Sequence, residues 1–319
     1  MAKRRQLTGI WAAVHTPFRG DGALDEGALQ GNLRHYRQSL GLSGVFCNGI
    51  MGEFWALTLD ERRRIHDIVA GARATGLGTA ILVNHHGLAD TVRLARHAAR
   101  AGNDYVAVMN PAVGPRADES LYRFFRTICD AVHVPVVLFN SPSSGYSMSA
   151  RLIAGIALRG NVIAVKTTAS RRSTNELRQL CPDLIVSDPL EAHWYDNMSR
   201  HQQPVLFADP EPYLFQTASS RPVAAYTEAL RRGNAAVARR ISARLGTIRK
   251  VYGKWIMRPL TDGRMPNAAL KCWASLVGLA AGPVRPPLVD LPAHEARRLA
   301  AEVAAGLDAM RRASRALRR

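Results

Sequence analysis

Eight times along this chain a short run of apolar residues stops at a turn and gives way to a segment with helical spacing. The runs open at Gly9, before the Thr16-Pro17-Phe18 turn, and recur at Gly44-Val45-Phe46-Cys47, at residues 78–83, and at Tyr105-Val106-Ala107-Val108-Met109. They continue at residues 135–139, at residues 162–166, at Leu184-Ile185-Val186 and at Val205-Leu206-Phe207. Continuous apolar runs, unlike alternating ones, suit strands buried on both faces, and strands that alternate with helices pair in parallel. The expected fold is therefore α/β, a closed (β/α)8 TIM barrel. After Pro210-Glu211-Pro212 the strand signal ends, and the remainder is helical and rich in Ala and Arg, punctuated by Gly233-Asn234, Asp262-Gly263 and Gly282-Pro283. This predicts a barrel over residues 1–225 that carries the active site, followed by a C-terminal helical region over 226–319.

Local signals agree with that order. Asp25 caps a helix running towards Leu40, and Thr58-Leu59-Asp60-Glu61 is a capping box that opens a helix with Ile65, Ile68 and Val69 on one face. Further helices are expected over residues 89–101 and around 121–132. Trp55 reads as a core aromatic, and His193, Trp194 and Tyr195, on the helix after the seventh strand, as packing or subunit-contact residues.

The formal charge of +18 invites a nucleic-acid reading, but the arginines are scattered over presumed solvated helix faces, Arg62-Arg63-Arg64 and Arg311-Arg312 among them, with no zinc-finger or RNA-recognition pattern. No specific nucleic-acid partner is expected. Cys47, Cys129, Cys181 and Cys272 show neither metal nor redox spacing and read as buried thiols of a reducing compartment. The apolar run after Lys3-Arg4-Arg5 is too short for a signal peptide, and no stretch reaches the roughly 18 apolar residues of a membrane span. A cytoplasmic protein without a membrane partner is expected.

Asn161-Val162-Ile163-Ala164-Val165-Lys166 is the run with a chemical consequence, because a lysine closes it. If that lysine is buried, the charged ammonium is disfavoured and the free amine becomes available as a nucleophile towards a carbonyl carbon. If the side chain reaches solvent, Lys166 is only a lysine at a strand end.

The order of markers decides between these. Thr16-Pro17-Phe18 follows the first strand, Gly49-x-x-Gly52-Glu53 the second and Phe139-Asn140-x-Pro142 closes the fifth; Lys166 closes the sixth, and Leu270-Lys271 and Val284-Arg285-Pro286-Pro287-Leu288 lie in the tail. Together they resemble the dihydrodipicolinate synthase and N-acetylneuraminate lyase family of class I aldolases, over nearly the whole chain. The resemblance implies a barrel with a helical extension, a homotetramer, and a lysine, here Lys166, that forms a Schiff base with a 2-oxo acid such as pyruvate. It implies no metal and no cofactor. Glu53 would brace the glycine turn rather than act as an acid.

Departures from the family pattern narrow the chemistry. Its Gly-Thr-Thr-Gly-Glu turn carries Ile50 and Met51 in the middle here, so a substrate carboxylate would have to be held by backbone N–H groups in a more apolar pocket. Phe139 stands where a proton-relaying tyrosine is usual, Ala112 and Val113 replace a tyrosine pair, and Ser144 replaces an arginine, which argues against dihydrodipicolinate synthesis itself. Replacement proton carriers are sought at the C-terminal strand ends, among His85, His86, Asn140, Ser141, Tyr146, Thr167, Thr168 and Asp188. The expected catalytic set is Lys166, Tyr146 and His85, with Gly49, Ile50, Met51, Phe139, Asn140, Thr168 and Phe207 around the substrate. The expected activity is a Schiff-base lyase or aldolase with an apolar aldehyde partner; the alternatives are a dehydratase of the same family and a catalytically lapsed barrel that binds a small ligand.

Overall fold

The computed structural model describes residues 6–114 and 116–315, with side chains as far as Arg311. Lys3-Arg4-Arg5, Pro115 and the side chain of Arg312 lie outside the described residues. The strands are β1 (Gly9–Ala13), β2 (Gly44–Cys47), β3 (Gly78–Leu82), β4 (Tyr105–Met109), β5 (Val136–Asn140), β6 (Val162–Thr167), β7 (Ile185–Ser187) and β8 (Val205–Ala208). They form one sheet in the order β7-β6-β5-β4-β3-β2-β1-β8, parallel in every ladder. Side chains help to close the ring between β7 and β8: Ser187 Oγ donates to Val205 O at 3.1 Å and accepts from Phe207 N at 3.1 Å, and Gln203 accepts from Asp188 N at 3.1 Å and donates to Asp188 O at 3.2 Å.

Helices α1 (Glu26–Gln38), α2 (Leu59–Gly71), α3 (Leu88–Ala101), α4 (Asp118–Asp130), α5 (Ala150–Ala157), α6 (Arg171–Leu180) and α7 (Glu191–His201) alternate with the strands. Asp25 caps α1 through Ala28 N, and the Thr58/Glu61 capping box on α2 is complete, because each residue supplies the acceptor for an otherwise unpaired N–H. The tail adds α8 (Glu211–Leu214), α9 (Pro222–Arg231), α10 (Ala235–Ala243), α11 (Gly246–Tyr252), α12 (Arg258–Thr261), α13 (Asn267–Leu276) and α14 (Ala293–Arg315), with a π-helical turn, Gly253–Met257, joining α11 to α12. Residues 225 and 226 fall inside α9, and one apolar core runs from Leu7 to Met310.

The barrel interior is filled by aromatic layers. Trp11 stacks on Phe207 at 5.6 Å and meets the edge of Tyr105 at 5.5 Å. Gly44 and Gly78 open β2 and β3 because a Cβ there would sit 2.3 Å and 2.5 Å from the Trp11 ring. Above that layer, Phe46 packs on Phe207 at 5.3 Å and on Phe139 at 5.9 Å. Lys166 pairs in register with Phe139, so both point inward and the lysine lies directly over this apolar floor.

Four side chains depart from the sequence expectation. Trp55 is 37% exposed, on the short turn Phe54–Ala56, with Phe54 edge-on to its ring. Arg62 is buried, because its guanidinium caps the end of β3, donating to Leu82 O at 2.9 Å and Asn84 O at 2.6 Å; burial pulls it down to about 10. Cys47 and Cys129 are buried, whereas Cys181 and Cys272 are only half-buried.

His15, just past β1, ties the barrel to the tail: its Nε2 lies 3.0 Å from Ala280 O, which also accepts from Asn32 at 2.6 Å. Burial holds this ring neutral, down to about 4 from 6.5. The unfolded chain therefore takes up a proton that the native ring refuses, so the contribution of His15 is intact above pH 6.5 and is lost as the pH falls towards 4, by about 3 kcal/mol. Thermal melts should show a shallower loss of Tm between pH 6.5 and pH 4 in His15→Gln than in the parent.

Candidate active site

Lys166 ends the apolar part of β6 and is 1% exposed. Its Nζ lies 2.6 Å from Asp209 Oδ1 and 3.4 Å from Ala208 O, at the end of β8. Phe139 and Phe46 face it at 4.7 Å and 5.4 Å from their ring centres, so the remaining surroundings of the amine are aromatic. The amine forms part of the lining of a cavity of about 610 Å³ at the C-terminal end of the barrel, where parallel barrels gather their chemistry. Its walls include Ile50, Met51, Phe139, Leu190, Met257 and Leu260, and its polar groups include Ser141, Ser143, Thr168, Thr261 and Asp209. Thr168 Oγ1 is buried and has no hydrogen-bond partner within the protein, which leaves it available to a bound molecule.

The sequence-derived candidates separate in space. Lys166, Ile50, Met51, Phe139 and Thr168 meet at this cavity. Gly49 lets the turn close over Phe46, whose ring would lie 3.1 Å from a Cβ at that position. Asn140 does not line the cavity: Met148 N donates to its Oδ1 at 2.8 Å, and its Nδ2 reaches Met148 O and Thr167 Oγ1, both at 3.3 Å. Asn84 and Asn110 do the same work after β3 and β4, each exchanging bonds with the next strand's end, at Met109 and Ser141. Phe207 lies a layer lower, between Trp11 and Phe46, and supports the floor.

His85 and Tyr146 also lie outside the lining. His85 Nδ1 accepts from Gly87 N at 3.2 Å and sits 3.5 Å from Asp90, which binds the ring to the start of α3. Tyr146 lies under the Arg116 guanidinium at 4.8 Å; its hydroxyl is buried without a partner, and burial pushes the phenol above its usual range. Asp188 is held by His193 Nδ1 at 2.8 Å. Ser144, where the resembled family has arginine, turns inward and donates to Asn110 O at 2.6 Å.

Asp209 was not among the sequence candidates. It directly follows β8, so the strand-end rule that selects Asp188 after β7 selects it equally. Met257, Leu260 and Thr261 also escaped notice; they reach the cavity from the tail at helical spacing, from the last residue of the π-helical turn to the end of α12.

The glycine turn is shaped by residues far from it in sequence. Glu53 adopts a left-handed φ of 55°, and its buried carboxylate pairs with Lys271 Nζ at 2.7 Å and accepts from Arg285 N at 2.9 Å. Arg285 also holds Glu61 through two guanidinium nitrogens, at 2.5 Å and 2.8 Å, and stacks on Phe18 at 4.1 Å, as Lys271 does at 4.1 Å. Thr16 Oγ1 donates to Gly52 O at 2.8 Å. Asn267 donates to the carbonyls of Ile50 and Met51 at 3.1 Å and 3.2 Å. The separate sequence markers are thus one clamp, which fixes Ile50 and Met51 against the cavity.

This geometry places the chain among the TIM barrels that keep a buried amine at the C-terminal mouth. More particularly, it belongs to the Dihydrodipicolinate synthetase family, which it matches over residues 6–305. It is 33% identical over 179 residues to 4-hydroxy-tetrahydrodipicolinate synthase of Pelobacter propionicus, covering 56% of this chain and 61% of that one. It is 29% identical over 185 residues to N-acetylneuraminate lyase of Rhizobium meliloti, covering 57% and 60%. The chain thus spans about three fifths of the length of these curated relatives. The fold of 4-hydroxy-tetrahydrodipicolinate synthase from Methylacidiphilum fumariolicum superposes with a TM-score of 0.83 at 19% identity, covering 97% of this chain and 99% of that one. A prophage protein of the dihydrodipicolinic acid synthase family from E. coli, in complex with pyruvate, superposes at 0.80 with 23% identity, covering 95% and 99%.

The clamp makes a specific prediction. Lys271→Met leaves the Glu53 carboxylate buried without its cation and should cost about 3–5 kcal/mol in denaturant unfolding. The double variant Glu53→Gln/Lys271→Met removes both charges and should recover most of that loss.

Proposed function

We propose that this protein is a Schiff-base lyase or aldolase that joins Lys166 to the carbonyl carbon of a 2-oxo acid of the pyruvate type and takes a neutral, apolar aldehyde as the second partner. The observation that carries the reading is a lysine 1% exposed, at a strand end, on the wall of a cavity of about 610 Å³. The imine of such a lysine is an electron sink, which acidifies the neighbouring carbon and lets a C–C bond form or break. Membership of a family whose relatives are named synthase and lyase supports the reaction class.

The partner is argued from the walls. Among the described residues that line the cavity there is no arginine and one carboxylate, Asp209, which faces Lys166, so a second acidic group on the substrate would find no countercharge. Ile50, Met51, Leu190, Met257 and Leu260 instead match a hydrocarbon or ring-bearing acceptor. The substrate carboxylate is assigned to the Gly49–Gly52 turn: Asn267 holds the Ile50 carbonyl from the tail side, and across the planar peptide the Met51 N–H faces the other way. Thr168 Oγ1 is a second donor. The expected assembly is a homotetramer working in the cytoplasm, to which the four free cysteines add support.

Incubation with pyruvate and borohydride should add the mass of the reduced adduct at Lys166, and Lys166→Arg should add none, since a guanidinium stays protonated and cannot attack a carbonyl. Absence of the adduct in the parent would favour the lapsed barrel, a reading prompted by Phe139 in place of a phenol. Product analysis with aromatic aldehydes then separates aldol chemistry from loss of water.

A second test concerns Phe139, whose ring is buried between Phe46 and the Lys166 amine. In a specialised apolar pocket Phe139→Tyr buries a hydroxyl without a partner at a cost of about 1–3 kcal/mol and lowers turnover with the native aldehyde. In a pocket that has merely lost a relay, the same change would speed imine formation with pyruvate by roughly 10²–10⁴. Single-turnover kinetics should give the first result.

A further inference from the structure

We infer that Asp209 is the acid–base residue of the Lys166 reaction, a role carried by no other side chain at this site; the inference rests on the Schiff-base reading above. Among the described residues that line the cavity, Lys166 and Asp209 are the two that exchange protons in ordinary acid–base chemistry, the rest being apolar, glycine, serine or threonine. Asp209 Oδ1 is already 2.6 Å from the reacting nitrogen, within the reach a proton-transfer partner needs. The other groups that could serve are engaged elsewhere: His85 is bound to the start of α3, Tyr146 lies under Arg116, Asp188 is bound to His193, and the hydroxyls of Tyr213 and Tyr252 are buried outside the lining.

Position favours the same assignment. Asp209 stands on the first residue past β8, beside β1 rather than on a long loop, and its side chain is 13% exposed, open to the cavity while its Oδ1 meets the amine. Two residues on, Glu211 is wholly buried, and burial together with the neighbouring Asp209 carboxylate pushes it well above the usual carboxyl range.

The steps balance with Asp209 as the single carrier. The Lys166 ammonium gives a proton to the Asp209 carboxylate, and the free amine attacks C2 of the 2-oxo acid, sending the carbonyl pair onto oxygen. Asp209 delivers its proton to that oxygen and takes one from the new N–C centre, leaving a neutral carbinolamine. It then protonates the hydroxyl, which departs as water while the nitrogen pair forms the C=N bond. One ammonium and one ketone become one protonated imine and one water, and Asp209 ends as the carboxylate it began as.

The test is the rate of borohydride-trapped adduct at Lys166 with pyruvate, by rapid quench, in the parent, Asp209→Asn and Asp209→Ala, with melting curves to check folding. The expected result is a parent that traps, an asparagine variant slowed at least about 10²-fold, and an alanine variant equally slow that regains rate on adding formate, which restores a mobile carboxylate. A carboxylate that only stabilised the ammonium predicts the reverse, because Asp209→Asn would free the amine and trapping would keep its rate or quicken; either overturns the assignment. Slow variants that formate leaves slow would make Asp209 a positioning residue for Lys166 and also overturn it. If the alanine variant does not fold, the asparagine variant decides alone. A parent that forms no adduct removes the Schiff-base reading, and this inference with it.

Discussion

The contact between Lys166 and Asp209 constrains the rest of the structure, because it sets two opposite charges above a floor of phenyl rings. An ammonium removed from water is tolerable only beside a close countercharge, and here a carboxylate lies at 2.6 Å while Phe139 and Phe46 supply ring faces. The barrel must therefore bring β6 and β8 to one side of the same cavity, although β7 comes between them in the chain. Ser187 bonds across from β7 to β8, and Gln203, just before β8, bonds back to Asp188, just past β7. The aromatic layers below, from Trp11 up to Phe46, keep the floor dry and fix its height.

The tail is part of the site rather than an appendage. Glu53 and Lys271 form a buried pair, Arg285 links Glu53 to Glu61, and Asn267 grips the Ile50 and Met51 carbonyls. Met257 and Leu260 add to the apolar wall of the cavity. Both α9 and the apolar core run across residues 225 and 226.

Much of this was legible in the sequence. Strands buried on both faces must be short and apolar throughout, so the eight runs predicted β1 to β8 to within a few residues, and Lys166 stood out because a charge closed one of them. What could not be read was side-chain direction on loops and turns. His85 and Tyr146 have the right chemistry at the right end of the barrel, but a bond from Gly87 and a stacked Arg116 hold them elsewhere. Arg62 looked solvated beside Arg63 and Arg64, yet its helix register aims it at the open carbonyls of β3. Asp209 was missed because its importance comes from a partner 43 residues away, a distance in sequence that no local pattern records.

The most direct measurement is a crystal structure of the protein soaked in pyruvate. The account predicts continuous density from Lys166 Nζ to C2 of the ligand, its carboxylate against the Ile50–Met51 turn and Thr168, and Asp209 still within hydrogen-bond reach of the imine nitrogen. Pyruvate bound without a covalent link, with Lys166 still paired to Asp209 as in the free protein, would contradict it.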